Sequence, residues 1–271
     1  MQILQQMSSQ QKIFSQRFFS SFLPLFFQQG AYAFAYVAHL VFFLFCTVQA
    51  GAQNNSGSWT ILNLSRQQND HWNFFAEAQL RSLRLYHHFH YYEYKGGFQY
   101  KAKPGLTLAL GAGRYVTYRE GGSFLLPKNN DELRIWPQVI LSQSIGKIKT
   151  EQRYRMEARF TGSGYRNRFR YRLGLNLPFG KPENGIKPFQ FHVSNEIFFT
   201  NREPYFERNR FVTFIGYRIL PYLSLQAGYV YQFDYRINDE TGRQFLQAGL
   251  FFDLTTRTNQ VAGFQSGAQQ E

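Results

Sequence analysis

The sequence predicts an all-β protein, a transmembrane antiparallel β-barrel of ten strands, with twelve as the alternative count. Three observations predict it. From Trp59 to Leu254 the dominant period of polarity is two, and helical spacing is nowhere sustained. The alternating segments run for about 10 to 16 residues, longer than the roughly 5 to 6 of soluble strands and long enough for the roughly 9 to 11 that a tilted membrane strand needs. One face of each segment is Leu, Tyr, Phe and Ala while the other carries several charges, as an outward lipid face and a polar lumen require. A soluble sandwich also alternates, but 30 Phe would demand a larger core than a chain of this size usually builds.

The first 52 residues differ from the rest. Ala31 to Val48 is an apolar run, preceded by Lys12 and Arg17 without any acidic residue and followed by Ala50-Gly51-Ala52. A positive segment, an apolar segment and an A-x-A site read as a secretory signal peptide cleaved after Ala52. The run is also long enough to anchor as a helix, and the basic segment before it is longer than usual, which suggests that the true start lies downstream of Met1. Cys46, the one cysteine, lies inside this run, and Phe45 before it does not suit a lipoprotein site. The exported chain is therefore expected to hold no disulfide, which excludes a small disulfide-stapled fold. Removing 52 residues leaves 219, and losing Lys12 and Arg17 takes Lys+Arg from 30 to 28 against 17 Asp+Glu, a net +11. The expected organisation is a leader at 1–52, a barrel at 53–254 and a disordered polar tail at 255–271. A mean hydropathy of −0.41 excludes a polytopic helical membrane protein, and the aromatic fraction of 19% excludes a disordered chain.

The strands follow in order. Trp72, Phe74, Ala76, Ala78 and Leu80 oppose Asn73, Glu77, Gln79 and Arg81. Tyr92, Tyr94, Gly96, Phe98, Tyr100 and Ala102 oppose Glu93, Lys95, Gln99 and Lys101. Weaker alternation covers 106–119 and 132–145, and then Tyr154, Met156, Ala158 and Phe160 oppose Arg153, Arg155, Glu157 and Arg159. Phe169, Tyr171, Leu173, Leu175 and Leu177 oppose Arg168, Arg170, Arg172 and Asn176, with weaker strands at 188–200 and 208–219. Leu223 to Tyr235 alternates against Ser224, Gln226, Gln232, Asp234 and Arg236, and 244–254 closes the set. Trp59 to Arg66 looks like an eleventh segment, either lumenal or the sign of a missed twelfth strand.

Connection lengths give the orientation. Lys103-Pro104-Gly105, Gly146-Lys147 and Leu220-Pro221-Tyr222 are tight, whereas 120–131, 201–207 and 238–243 are longer and polar. Outer-membrane barrels keep short turns in the periplasm and long loops outside, although 180–187 is longer than that scheme expects.

The final strand resembles the C-terminal insertion signal of outer-membrane barrels at Gln247, Gly249, Phe252 and Leu254. That resemblance implies the cell outer membrane as location and recognition by the barrel-assembly machinery. The wider pattern is similar to a family of uncharacterised Gram-negative outer-membrane β-barrels known only as a domain of unknown function. Its carriers are Trp59, Leu80-Arg81, Gln152-Arg153-Tyr154-Arg155, the run Arg166 to Arg172 and the echo Arg208-Asn209-Arg210-Phe211. The resemblance implies a fold and a location and no activity.

Candidate functional residues concentrate on the inward faces. Lys149, Arg153, Arg155, Arg159, Arg166, Arg168, Arg170, Arg172, Arg210, Arg218 and Arg236 stand against Glu77, Glu93, Glu151, Glu157, Glu196 and Asp234. Two readings compete: a closed lumen cross-linked by Arg–carboxylate pairs, or a narrow pore whose arginine rows prefer small anionic solutes. Strict alternation separates the arginines of 166–172 from the aromatic residues, so a nucleic-acid surface is excluded. His192 and Ser194, followed by Asn195, resemble the His-x-Ser-Asn stretch of outer-membrane phospholipases, which implies lipid hydrolysis as the alternative activity. Against it, both side chains face inward, Glu196 replaces a Gly, and no Asn is clearly placed to orient the His. His87, His88 and His90 are expected in an external loop, without a carboxylate or thiolate at metal-site spacing; no metal or cofactor is expected. Tyr91, Tyr92, Tyr94, Tyr100, Tyr229, Tyr231 and Tyr235 are expected at the headgroup boundary or on the lipid face, and Lys128, Arg202, Arg208 and Arg243 as loop cations facing lipopolysaccharide phosphates.

Overall fold

The computed structural model describes residues 56–182, 186–235 and 241–255; the expected leader, Arg236 and the tail beyond Thr255 lie outside the described residues. The described chain forms eleven strands and no helix. They are β1 (Gly57–Gln67), β2 (Trp72–Arg84), β3 (His87–Lys103), β4 (Leu106–Arg119), β5 (Leu125–Ile145) and β6 (Ile148–Thr161), then β7 (Gly164–Phe179), β8 (Phe189–Thr200), β9 (Phe206–Leu220), β10 (Leu223–Asp234) and β11 (Thr241–Asp253). Sequence neighbours pair antiparallel throughout, and β1 pairs in parallel with β11 to close the barrel.

The segment that fitted neither an even count nor the wall is therefore a wall strand. Trp59 to Ser65 pairs on one side with Gln247 to Asp253 and on the other with Arg81 to Phe75. Closure through β1 gives eleven strands, between the two expected counts, and removes both open edges of the sheet. At the upper rim β1 begins and the connections at 85–86, 120–124, 162–163 and 201–205 lie, together with the end of β10 and the start of β11; the lower rim carries 68–71, 104–105, 146–147 and 221–222, together with the end of β7 and the start of β8.

The three turns expected to be tight share the lower rim, although two-residue connections also stand on the upper rim at 85–86 and 162–163; Gly105 (φ 80) and Gly146 (φ 60) take backbone angles on the lower rim that other residues resist. The upper connections are shorter than the polarity suggested, because Leu125 to Asp131 already belongs to β5. His87, His88 and His90 likewise stand in β3 and not in a loop. His90 is buried, and its ring neighbours Tyr91 near a register shift in the β2–β3 ladder.

The alternation sorts the side chains as the sequence indicated. On β6, Arg153, Arg155, Glu157 and Arg159 are buried, whereas Tyr154, Met156 and Phe160 are exposed. The outer surface is a band of apolar residues in the open, including Phe74, Leu110, Ile135, Phe169, Leu175 and Ile215. Tyr91 departs from its expected place: it is buried, stacks under Arg81 and donates a hydrogen bond to Glu93.

An arginine-filled lumen with a closed waist and an open cup

The lumen is filled by two kinds of material on opposite walls. Along β1 and β9 to β11, Trp59, Ile61, Val212, Phe214, Val230 and Phe245 form one apolar cluster, with Phe251 packed against it. Tyr91, Tyr115 and Trp136 form a second, with Phe75 against it. Large rings fit because glycines stand across the ladder. Gly111 faces Trp136 in register, and a Cβ there would lie 2.4 Å from the indole.

The opposite wall, from β5 to β9, is ionic. Glu196 accepts from Arg153 Nη2 at 2.5 Å and from Arg170 Nη2 at 2.9 Å. Arg170 Nη1 also reaches Glu157 at 2.6 Å, and Glu157 meets Arg168 at 2.5 Å. Arg168 and Arg159 converge on Glu207 at 3.1 Å and 3.3 Å, and Arg159 continues to Glu132 at 3.0 Å, which Arg134 also holds. Arg172 pairs with Glu151 at 2.7 Å, and Arg155 donates to Gln138 at 2.8 Å. A separate group on β2 and β3 joins Lys95 to Glu77 and Glu93, each at 2.7 Å, and Arg81 to Glu93 at 3.2 Å. Arg81 lies 3.4 Å from the Trp59 ring centroid, so the ionic and apolar walls meet face to face.

Burial makes this pairing necessary. Arg153, Glu157 and Phe198 have no exposed surface, and a charge removed from water is tolerated only with partners that replace its hydration. The residues that close the waist are thus expensive one by one and compatible together.

The sequence-derived candidates separate accordingly. Arg153, Arg155, Arg159, Arg168, Arg170, Arg172 and Arg210 are all buried, together with Glu77, Glu93, Glu151, Glu157 and Glu196. Arg166 and Asp234 are partly buried near the upper rim, Arg218 is partly buried at the lower end of β9, and Lys149 is exposed at the lower rim. On β11, Gln247 is buried, Phe252 is partly buried and Leu254 is exposed just past the strand. Gly249 leaves room for the Phe251 ring, which a Cβ would meet at 2.5 Å. Glu132, Arg134 and Glu207 were not among the candidates; Glu207 was assigned to a loop, and the inward parity of 132, 134 and 138 was the available signal.

His192 and Ser194 are buried on the lumenal side. His192 Nδ1 lies 2.7 Å from Asn176 Oδ1, so an Asn does orient the ring, from the facing position on β7. Its ring stacks on Phe214 with centroids 4.5 Å apart, and its Nε2 has no hydrogen-bond partner. The barrel wall separates this pair from the outer surface. Among the described residues, no cluster of three or more His, Cys, Asp or Glu could hold a metal ion.

Above the waist the packing opens into a cup of about 570 Å³ at the upper rim. Ten arginines line it against four carboxylates, Glu120, Glu203, Glu207 and Asp234. Arg208 pairs with Asp234, and Arg243 meets Glu120 at 2.6 Å. Arg202 donates to the Tyr165 carbonyl at 3.1 Å. Three of the four expected loop cations, Arg202, Arg208 and Arg243, thus face this cup; Lys128 stays outside it, 2.8 Å from Asp131, which also holds Arg114. Beneath the cup, Phe198 sits among the guanidinium groups of Arg168, Arg170, Arg208 and Arg210, at 4.5 to 5.6 Å from its ring centroid.

A family model described as a protein of unknown function, DUF2490, matches residues 56–243. No curated protein and no solved structure matches the chain.

Proposed function

The chain belongs to the DUF2490 family, and from that premise we propose that it is an outer-membrane β-barrel whose role is structural, with a lumen stoppered at its waist. The observation that carries this reading is the reversal of ordinary burial: apolar side chains stand exposed around the outer wall while arginines and glutamates fill the centre. In water such an outer surface would exceed the few hundred Å² of contiguous apolar patch typical of soluble proteins, and hydrocarbon removes that cost. The expected leader at 1–52 and the insertion signal ending at Leu254 support the same placement.

Fractionation tests it. The mature protein is expected to sediment with the outer membrane, to resist high-salt washing and to require detergent for release. Recovery as a freely soluble protein from the periplasmic extract would overturn the reading.

A second reading, a narrow anion-preferring pore, is favoured by the imbalance of buried lumenal charge, in which arginines and Lys95 outnumber the glutamates. It requires a water path past the two apolar clusters around Trp59 with Phe214 and around Trp136, and past the paired guanidinium groups, all of them buried. Lipid hydrolysis through His192 and Ser194 finds no support in their enclosure.

A further inference from the structure

We infer that the upper-rim cup is a binding site for a compact polyanion bearing two or more phosphate or sulfate groups. This goes beyond the barrel reading and rests only on the closed floor of the cup. The charges there are unequally matched. Among the described residues Arg166 has no carboxylate within ion-pair distance, and its Nε lacks a hydrogen-bond partner. Arg202 is held only through a backbone carbonyl.

Deeper in the cup Arg210 is 2% exposed, and its nearest carboxylate, Glu196, is 4.0 Å away and already shared with Arg153 and Arg170. Arg210 donates Nη2 to Gln232, whereas its Nε and Nη1 have no hydrogen-bond partner. These unsatisfied donors lie buried in the lining of the cup; leaving them so is costly, and a turn of the side chains toward an oxyanion in the cup supplies the missing acceptors in the fork geometry that arginine matches. Exposed Arg202 and partly buried Arg166 near the rim, with buried Arg210 below them, fit several linked anionic groups better than a single one. A volume of about 570 Å³ is within the range of small-ligand pockets. The opening lies on the barrel axis, so the phosphate can come from a soluble molecule or from a lipid headgroup reaching over the rim.

Titration calorimetry of the purified, detergent-folded protein with tripolyphosphate at low salt tests the site. The wild type is expected to bind at one site, weakening as salt rises, and R166Q/R202Q to bind roughly tenfold or more weakly. R114Q, on the outer wall, is expected to bind as the wild type does. Folding of each variant is checked by heat-modifiable gel mobility, and the single variants R166Q and R202Q decide the matter if the double variant fails to fold. Absence of binding, or equal binding by wild type and R166Q/R202Q, would overturn the inference. Vesicles containing lipid A distinguish the source. Vesicle binding lost in R166Q/R202Q supports a headgroup in the cup, whereas vesicle binding lost only in R114Q places phosphate recognition on the outer wall and overturns the site.

Discussion

Arginine fills both the waist and the cup of this barrel, and the two regions use it differently. At the waist most guanidinium groups are tied to carboxylates of neighbouring strands, so that Glu196 on β8 is gripped by Arg153 from β6 and Arg170 from β7. Toward the mouth of the cup Arg208 and Arg243 keep carboxylate partners, whereas Arg166 and Arg202 line it without one. Charge composition alone would describe both regions as anion-attracting. Pairing separates a stopper from a receptor.

The comparison can be broken most forcefully at the waist. Glu196→Ala leaves Arg153, Arg170 and Arg210 clustered in a buried interior, and loss of one partner from a buried network typically costs about 3–5 kcal/mol. Urea unfolding in detergent is expected to show a correspondingly lower midpoint; an unchanged midpoint would mean that the waist is hydrated. A smaller effect is expected across the ladder, where Gly111→Val drives a side chain into Trp136. Overpacking of this kind costs about 1–3 kcal/mol and is expected to shift the tryptophan emission spectrum.

Substitution in the cup gives the sharpest contrast. Arg166→Gln removes a cation with no carboxylate partner and is expected to change stability by no more than about 0.5 kcal/mol, in the same unfolding assay that detects the waist variant. The smallest effect belongs to Ser194→Ala. Incubation with phospholipid is expected to release no fatty acid from wild type or variant, and release that vanishes in the variant would restore the hydrolase reading.

Much of the wall was legible in the sequence because a period of two is a local property. The faces of β2, β3, β6, β7 and β10 can each be assigned from their own residues, and burial follows those assignments at Glu77, Lys95, Arg155, Arg172 and Gln226. β1 resisted because its inward residues, Trp59 and Ile61, are as apolar as its outward Leu62 and Leu64, which hides the alternation. Its parallel partner β11 lies at the far end of the chain, where no turn signals the pairing. The cup was illegible for a related reason. Arg202, Arg208 and Arg243 come from separate connections and strand ends, and only closure of the barrel turns them toward a common space. Asn176 was overlooked as the partner of His192 because the two face each other across strands, sixteen residues apart.

Ion conductance tests the closed waist most directly. Purified protein added to planar bilayers is expected to give no steady current at moderate voltage, and Glu196→Ala, which loosens the ladder, is expected to produce fluctuating openings. Steady anion-selective current through the wild type would contradict a stoppered lumen.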